Sequence, residues 1–203
     1  MGTSNLTLAG RLWPATSLNW TRVILLALLG SAIVALAAQV SVPLYPVPMT
    51  LQTLAVLAVG AAYGARLGAI TLALYALEGA VGLPVFANFQ AGLFLPTGEI
   101  TPRGGYIIGF ILAAGLVGYL VEKGWGSSVL KLCGAMLLGA AIVHVPGLIW
   151  LTGWYCVMRG MTIAPAVLQA FSAGLLPFIF GDIIKAVLAA LAFPAAFSLL
   201  GRR

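Results

Sequence analysis

The chain has 203 residues, of which 62% are hydrophobic and only 7% are charged. Soluble domains typically carry about a quarter charged residues, so this chain has too little polar surface to coat a water-soluble globule. Its formal net charge of +6 comes from basic residues that, apart from the adjacent Arg202 and Arg203, are scattered singly along the chain. The composition therefore predicts an integral membrane protein that contacts lipid and does not bind nucleic acid.

A polar N-terminal segment, residues 1–21, is predicted to lie at the membrane interface, and six apolar stretches follow it. A transmembrane helix needs about 20 mostly apolar residues. The predicted spans are 22–40, 49–64, 66–82, 105–121, 129–154 and 172–199. The sequence therefore predicts a single all-α membrane domain, residues 1–203, with six transmembrane helices and both termini on the same side.

Basic residues are distributed unequally between the two sides of this topology. Arg103 and Arg159 belong to the side opposite the termini, and Lys185 lies inside the sixth span. The other basic residues belong to the side of the termini: Arg11, Arg22, Arg66, Lys123, Lys131, Arg202 and Arg203. Because cytoplasmic segments carry an excess of Lys and Arg, both termini are predicted to be cytoplasmic.

Two connections on the outer side are long for a chain of this size. Residues 83–104 join the third and fourth spans, and residues 155–171 join the fifth and sixth. The first contains Phe86, Phe89 and other apolar residues, so we expect it to pack on the helices rather than extend into water. Loops of this length are often lids or binding loops, and 83–104 is predicted to be an outer lid.

Small residues form a stripe along the first span. Ala27, Ser31 and Ala35 recur every four residues, a spacing that lets another helix approach closely. The spacing alone does not distinguish a helix of the same bundle from a helix of a separate protein.

An acid and a base lie three residues apart in the otherwise apolar stretch "LLPFIFGDIIKAVLAALAF". At this spacing Asp182 and Lys185 share one face of a helix. Ionisable residues at membrane depth usually face a bundle interior or cavity and mark functional sites, whereas a buried ion pair contributes little to stability. We therefore favour a ligand-binding role for the pair, in which a carboxylate acceptor and an ammonium donor contact one small molecule.

Two further polar residues lie at membrane depth. His144 precedes Pro146 by two residues, and we favour a hydrogen bond to the backbone freed by the proline over a proton relay. Glu78 lies one helical turn after Tyr75, where it either lines an outer cavity or reaches the membrane interface.

The sequence contains no HExxH, no GxSxG with partners and no P-loop, so we do not expect an enzyme. Any ATP-driven step would have to come from another protein. The alternatives from other classes are an intramembrane enzyme, and a channel or proton-coupled carrier that uses Asp182, Glu78 and His144.

Four short motifs occur in an order that resembles a known family. They are "TLQT" at 50–53, "GLPVFA" at 82–87, "GGY" at 104–106 and "GDIIK" at 181–185. With their flanking residues they resemble the biotin-specific substrate-binding (S) components of energy-coupling factor (ECF) transporters, the BioY family, from about residue 42 to 190.

This resemblance implies an ECF S-component fold in a bacterial cell membrane. It implies high-affinity binding of biotin from outside, with biotin as the transported ligand and no cofactor. The implied partners are a transmembrane coupling protein and two cytoplasmic ATPase subunits, and the Ala27, Ser31 and Ala35 stripe is similar to the surface that contacts the coupling protein. An S component for another small vitamin is the alternative within this class.

The resemblance also implies the roles of individual residues. The ureido N–H groups of biotin would donate to Asp182 and Asn88, and the ureido oxygen would accept from Lys185. Gln52 is similar to a further polar residue of that pocket. Two aromatic residues, Phe86 and Tyr106, would enclose the fused rings. We further expect Arg103 near the pocket mouth, where it would attract the carboxylate.

Overall fold

The computed structural model describes Thr7, residues 20–93 and residues 100–200, with side chains described as far as Leu191. Almost all of the expected interfacial segment 1–21 lies outside the described residues. So do 94–99 of the expected lid and the C-terminal basic residues.

The described part of the chain is almost entirely helical. Its α-helices are α1 Trp20–Gln39, α2 Gln52–Tyr63, α3 Ala65–Ala80, α4 Gly104–Glu122, α5 Val129–Arg159, α6 Ile163–Gly174 and α7 Leu176–Leu200. A single residue, Leu175, separates α6 from α7, so the two form one interrupted segment. Counted this way, the described residues form six helical segments, and the predicted six-helix architecture is confirmed.

Two very short strands, which the sequence analysis did not predict, follow α1. Strand β1, Ser41–Val42, pairs antiparallel with β2, Met49–Thr50. The ribbon turns the chain back at the end of α1 and leads directly into α2. Short 3₁₀ helices lie at Ala87–Phe89 and Trp125–Ser127.

Helices α2 and α3 are shorter than the other predicted spans. Their 12 and 16 residues extend about 18 and about 24 Å, less than the roughly 30 Å of a hydrocarbon core. Gly64 joins them with a φ of 84°, which suits a residue without a Cβ atom. The Ala65 amide at the start of α3 donates to Glu122 Oε1 at 3.0 Å, so a side chain from α4 caps this helix.

Helix α4 lies at the centre of the bundle. Of its apolar stretch, 61% is buried within the chain, compared with 28% for α1. Glycines allow its neighbours to approach closely: a Cβ atom on Gly60 of α2 would lie 2.6 Å from the Ala114 carbonyl oxygen of α4. A Cβ atom on Gly109 of α4 would lie 2.6 Å from the Val143 carbonyl oxygen of α5. Backbone contact of this kind fixes the positions of α2, α4 and α5 around the site.

The predicted outer connection 155–171 is wrong. Helix α5 continues to Arg159, α6 begins at Ile163, and only 160–162 connect them. Gly160 ends α5 with a φ of 64°, a conformation that glycine adopts readily. Pro165 does not interrupt α6 because it lies in the first turn, where backbone N–H groups have no partner within the helix.

The small-residue stripe on α1 does not form a free surface, contrary to the expectation of a partner contact. Ala27 is 3% exposed and Ser31 is 1% exposed, while Ala35 is partly buried. The small side chains allow α1 to approach α3, because a Cβ atom on the adjacent Gly30 would lie 2.7 Å from Thr71 Cγ2. The exposed face of α1 carries large apolar residues instead: Trp20, Ile24, Leu25, Leu28, Leu29, Ile33 and Leu36.

Candidate functional site

A cavity of about 530 Å³, its open mouth included, lies where α2, α4, α5 and α7 meet. The segment between β1 and β2 and the loop after α3 complete its wall. Most of the lining is apolar and includes Phe86, Phe110 and Phe178. Its polar residues are Thr50, Gln52, Thr53, Arg103, Tyr106 and His144. An apolar cavity with a few converging polar groups is typical of a small-molecule site.

Gln52, at the start of α2, is held in a chain of hydrogen bonds. Its Nε2 donates to the Tyr75 hydroxyl at 2.6 Å, which in turn donates to the Val85 carbonyl at 3.0 Å. Its Oε1 accepts from the Thr50 hydroxyl at 3.2 Å. One amide proton of Gln52 therefore has no acceptor among these contacts and can serve a ligand.

Phe86 forms the wall on the side of the loop after α3. Its ring is 1% exposed and meets Tyr75 edge-on, with 5.5 Å between ring centroids. Gly79 leaves the room for this ring, since a Cβ atom there would overlap it. Gln39 at the end of α1 fixes the loop by donating to the Phe86 carbonyl at 3.2 Å and accepting from the Phe89 amide at 3.0 Å.

Asn88 lies in the same loop but is exposed and does not line the cavity. Its Oδ1 accepts a hydrogen bond from the Ser41 hydroxyl at 3.3 Å. Its backbone φ of 59° is in the left-handed region, which asparagine tolerates better than most residues. In this structure Asn88 shapes the turn that carries Phe86.

Of the described residues that line the cavity, one is a cation: Arg103, which immediately precedes α4. The side chain is partly buried, and this burial lowers the pKa of its guanidinium from the usual value. Arginine nevertheless stays protonated in proteins. The cavity therefore offers a positive charge at the start of α4, next to the loop that contributes Phe86.

Tyr106, in the first turn of α4, links the cavity wall to the break between α6 and α7. Its hydroxyl donates to the Gly174 carbonyl at 2.8 Å. That carbonyl is free because the Phe178 amide, which would bond it in a continuous helix, donates to Leu175 instead. The Tyr106 ring lies against Phe178, with 6.3 Å between centroids and 24° between planes.

A buried polar network connects α5 with α7. Asp182 accepts two hydrogen bonds, from Lys185 Nζ at 3.1 Å and from His144 Nε2 at 2.8 Å. All three residues are less than a tenth exposed. The predicted pairing of Asp182 and Lys185 on one helix face is confirmed. The expected bond from His144 to backbone near Pro146 is wrong, since Nε2 contacts the carboxylate.

The network reaches the cavity only through the histidine. His144 lines the cavity, whereas Asp182 and Lys185 do not and lie behind it. Glu78 is not part of the network or of the cavity lining, and it accepts a hydrogen bond from the Ser31 hydroxyl of α1. The predicted site residues thus fall into groups: Gln52, Phe86, Arg103 and Tyr106 line the cavity, Asp182 and Lys185 lie behind it, and Asn88 lies outside.

Sequence reasoning had missed three contributors to the wall. Phe178 and the 43–48 connection carried no polar or charged signal that would distinguish them from core residues. His144 did carry one, because it is the single histidine of the sequence and interrupts an apolar stretch. The pairing with Asp182 was not visible, since 38 residues separate the two.

Comparison with known proteins identifies the family of this chain. The sequence model of the BioY family matches residues 7–202. The chain belongs to the BioY family. It is 37% identical over 161 residues to the biotin transporter BioY of Thermotoga maritima, covering 79% of this chain and 87% of that protein. It is 34% identical over 178 residues to the biotin transporter BioY of Rhizobium etli, covering 83% of this chain and 89% of that protein.

One solved structure is similar in fold to this BioY family member. It is the crystal structure of an S-component for biotin from an ECF-type ABC transporter. The match has a TM-score of 0.70 and 24% sequence identity, and it covers 91% of this chain and 95% of that one. The chain therefore has the fold of an ECF S component, and with its long apolar helices it is a multi-pass membrane protein.

Proposed function

We propose that the chain is the biotin-binding membrane subunit of an ECF-type vitamin uptake transporter. One observation carries this proposal: a mainly apolar cavity that adjoins a buried network of His144, Asp182 and Lys185, in a member of the BioY family. Biotin has matching chemistry, since its apolar fused rings carry a ureido group with two N–H donors and one carbonyl acceptor. Burying both together requires partners for those polar groups.

The positions of the polar groups indicate how biotin would lie. Arg103 precedes the first turn of α4, and Tyr106 in that turn meets the His144 ring edge-on at 6.0 Å. We place the carboxylate tail of biotin toward Arg103 and the ureido ring toward the histidine and the pair behind it. Phe86 and Tyr106 would then flank the fused rings.

The loop after α3 is proposed to cover this pocket from outside. Residues 83–93 and 100–103 contribute Phe86, Ala87 and Arg103 to the cavity wall. The Leu93 carbonyl accepts from both the amide and the hydroxyl of Thr101, at 3.0 and 2.9 Å, so the two described parts of the loop are joined. The Thr101 carbonyl accepts from Trp150 Nε1 at 2.7 Å, which attaches the loop to α5.

Transport requires partners beyond this chain. Because the sequence has no nucleotide-binding motif, we propose that a transmembrane coupling protein and two cytoplasmic ATPase subunits drive release inward. The excess of basic residues on one side supports cytoplasmic termini. On this orientation the cavity mouth near Arg103 faces outward.

Equilibrium binding of labelled biotin to the purified chain in detergent tests the proposal. We expect saturable binding to one site, unchanged in Leu130→Ala, which alters a side chain that is 83% exposed. No saturable binding by the folded parent would overturn the proposal. Displacement of biotin by equimolar thiamine or riboflavin would indicate an S component for another vitamin.

A separate experiment tests the assembly. Affinity purification of the chain from membranes that contain the coupling protein and ATPases should recover all of them, and uptake into vesicles should require ATP. Uptake that proceeds without ATPase subunits and follows a pH gradient would instead identify a proton-coupled carrier.

A further inference from the structure

His144 has one nitrogen whose role the bundle does not explain. Nε2 bonds to Asp182, but Nδ1 is buried and has no hydrogen-bond partner among the described residues. Buried polar atoms in native proteins nearly always have a partner, so an exception calls for an explanation. The ring that carries this nitrogen lines the cavity. A ligand bound in the cavity would therefore supply the missing hydrogen-bond partner of Nδ1.

The contacts of Asp182 determine which chemistry Nδ1 offers. An ionised carboxylate only accepts hydrogen bonds, so Nε2 must carry a proton. Asp182 and Lys185 already balance each other in charge, and a second proton on the imidazole would leave an uncompensated positive charge in a buried place. The neutral imidazole is thus favoured, and its Nδ1 is an acceptor.

Aromatic rings hold the imidazole in this orientation. Tyr106 and Phe178 both meet it edge-on, with centroids 6.0 and 5.9 Å away and planes at 89° and 67°. Asp182 fixes the tautomer from behind, in the way that a carboxylate orients a catalytic or metal-binding histidine. The acceptor is consequently positioned before any ligand arrives.

We propose that His144 contacts the ligand directly and accepts one ureido N–H of biotin at Nδ1, while Asp182 holds its Nε2. The proposal rests on the proposed biotin-binding function. It assigns specificity to His144: the site requires a ring N–H at this place and rejects a ligand that presents an acceptor there. A site built to bond one donor discriminates strongly against an analogue that lacks it.

Two analogues of biotin test this requirement on the unaltered protein. In each, one of the two ureido N–H groups is replaced by oxygen, which gives two cyclic carbamates of nearly the same shape. We expect one of them to bind about 5- to 150-fold more weakly than biotin because its oxygen would face the Nδ1 lone pair. Equal affinity of biotin and both carbamates would overturn the proposal.

Two variants separate ligand contact from a structural role. His144→Gln keeps an amide that can reach Asp182 but provides no acceptor at the position of Nδ1, and His144→Phe retains only the ring shape. Both should bind biotin about 5- to 150-fold more weakly and should lose the discrimination between biotin and the disfavoured carbamate. If His144→Gln retains both the affinity and the discrimination of the parent, His144 only positions Asp182 and the proposal fails.

A spectroscopic measurement needs no variant, because His144 is the single histidine of the chain. Nitrogen NMR of protein labelled with ¹⁵N-histidine should show one protonated and one bare ring nitrogen without ligand. Saturating biotin should shift the bare nitrogen toward its hydrogen-bonded value. Binding of biotin without that shift would overturn this proposal and leave the biotin-binding function intact, whereas absence of biotin binding would remove both.

Discussion

Removing the charge of Asp182 should destabilise the bundle more than removing that of Lys185. Asp182 is 5% exposed and accepts from both Lys185 and His144, so Asp182→Asn leaves a buried ammonium without its counter-charge. Breaking a buried pair in this way costs about 3–5 kcal/mol. In Lys185→Met the carboxylate keeps its bond to the histidine, and we expect a loss of about 1.5–3 kcal/mol.

The double variant tests whether the charges interact. With Asp182→Asn and Lys185→Met together, no uncompensated charge of this pair remains buried. The double variant should therefore lose less free energy of unfolding than the two single variants lose in sum, by about 0.5–3 kcal/mol. Denaturant unfolding in detergent measures these free energies, and Ile183→Val, on the exposed face of the same helix, is the matched control. Additive effects, or an Asp182→Asn protein as stable as the parent, would refute the reasoning.

Three further outcomes concern the cavity wall. Gly79→Ala would force the Phe86 ring out of place, so it should lower the free energy of unfolding by about 1–3 kcal/mol and weaken biotin binding in a titration. Gly153→Ala, which has open space around its Cβ position, should do neither. Arg103→Gln should weaken biotin binding about twofold to fivefold, less than variants of the buried pair, and an effect that does not shrink at high salt would contradict its place near the mouth. Saturating biotin should slow proteolysis within 83–104 in outward-facing vesicles, and cleavage at an unchanged rate would show that this loop does not cover the ligand.

The sequence was sufficient for features that depend on local spacing. Six apolar segments, the tight turn at Gly64 and the shared helix face of Asp182 and Lys185 follow from composition and helical periodicity. The error at 155–171 has the same origin, because Gly160 and Pro165 are loop signals when read locally. Pro165 is compatible with a helix only in its first turn, and the residues next to Pro165 do not determine where the helix begins.

Features that depend on which helices meet were not accessible from one sequence. The stripe of Ala27, Ser31 and Ala35 indicates close helix approach but does not say to which helix, and the structure gives α3. Likewise, an apolar segment with a lone histidine does not identify its partner. His144 and Asp182 come together only because α5 and α7 pack side by side in the folded bundle.

The short α2–α3 hairpin has a consequence for the surrounding lipid. Its Gly64 end, with the polar cap from Glu122, would lie several ångströms inside the acyl-chain region of a bilayer of ordinary thickness. Lipids beside such a protein compress at a cost of fractions of a kcal/mol per ångström of mismatch. We therefore expect the chain to be most stable in bilayers with short acyl chains and to lose stability steadily as the chains are lengthened.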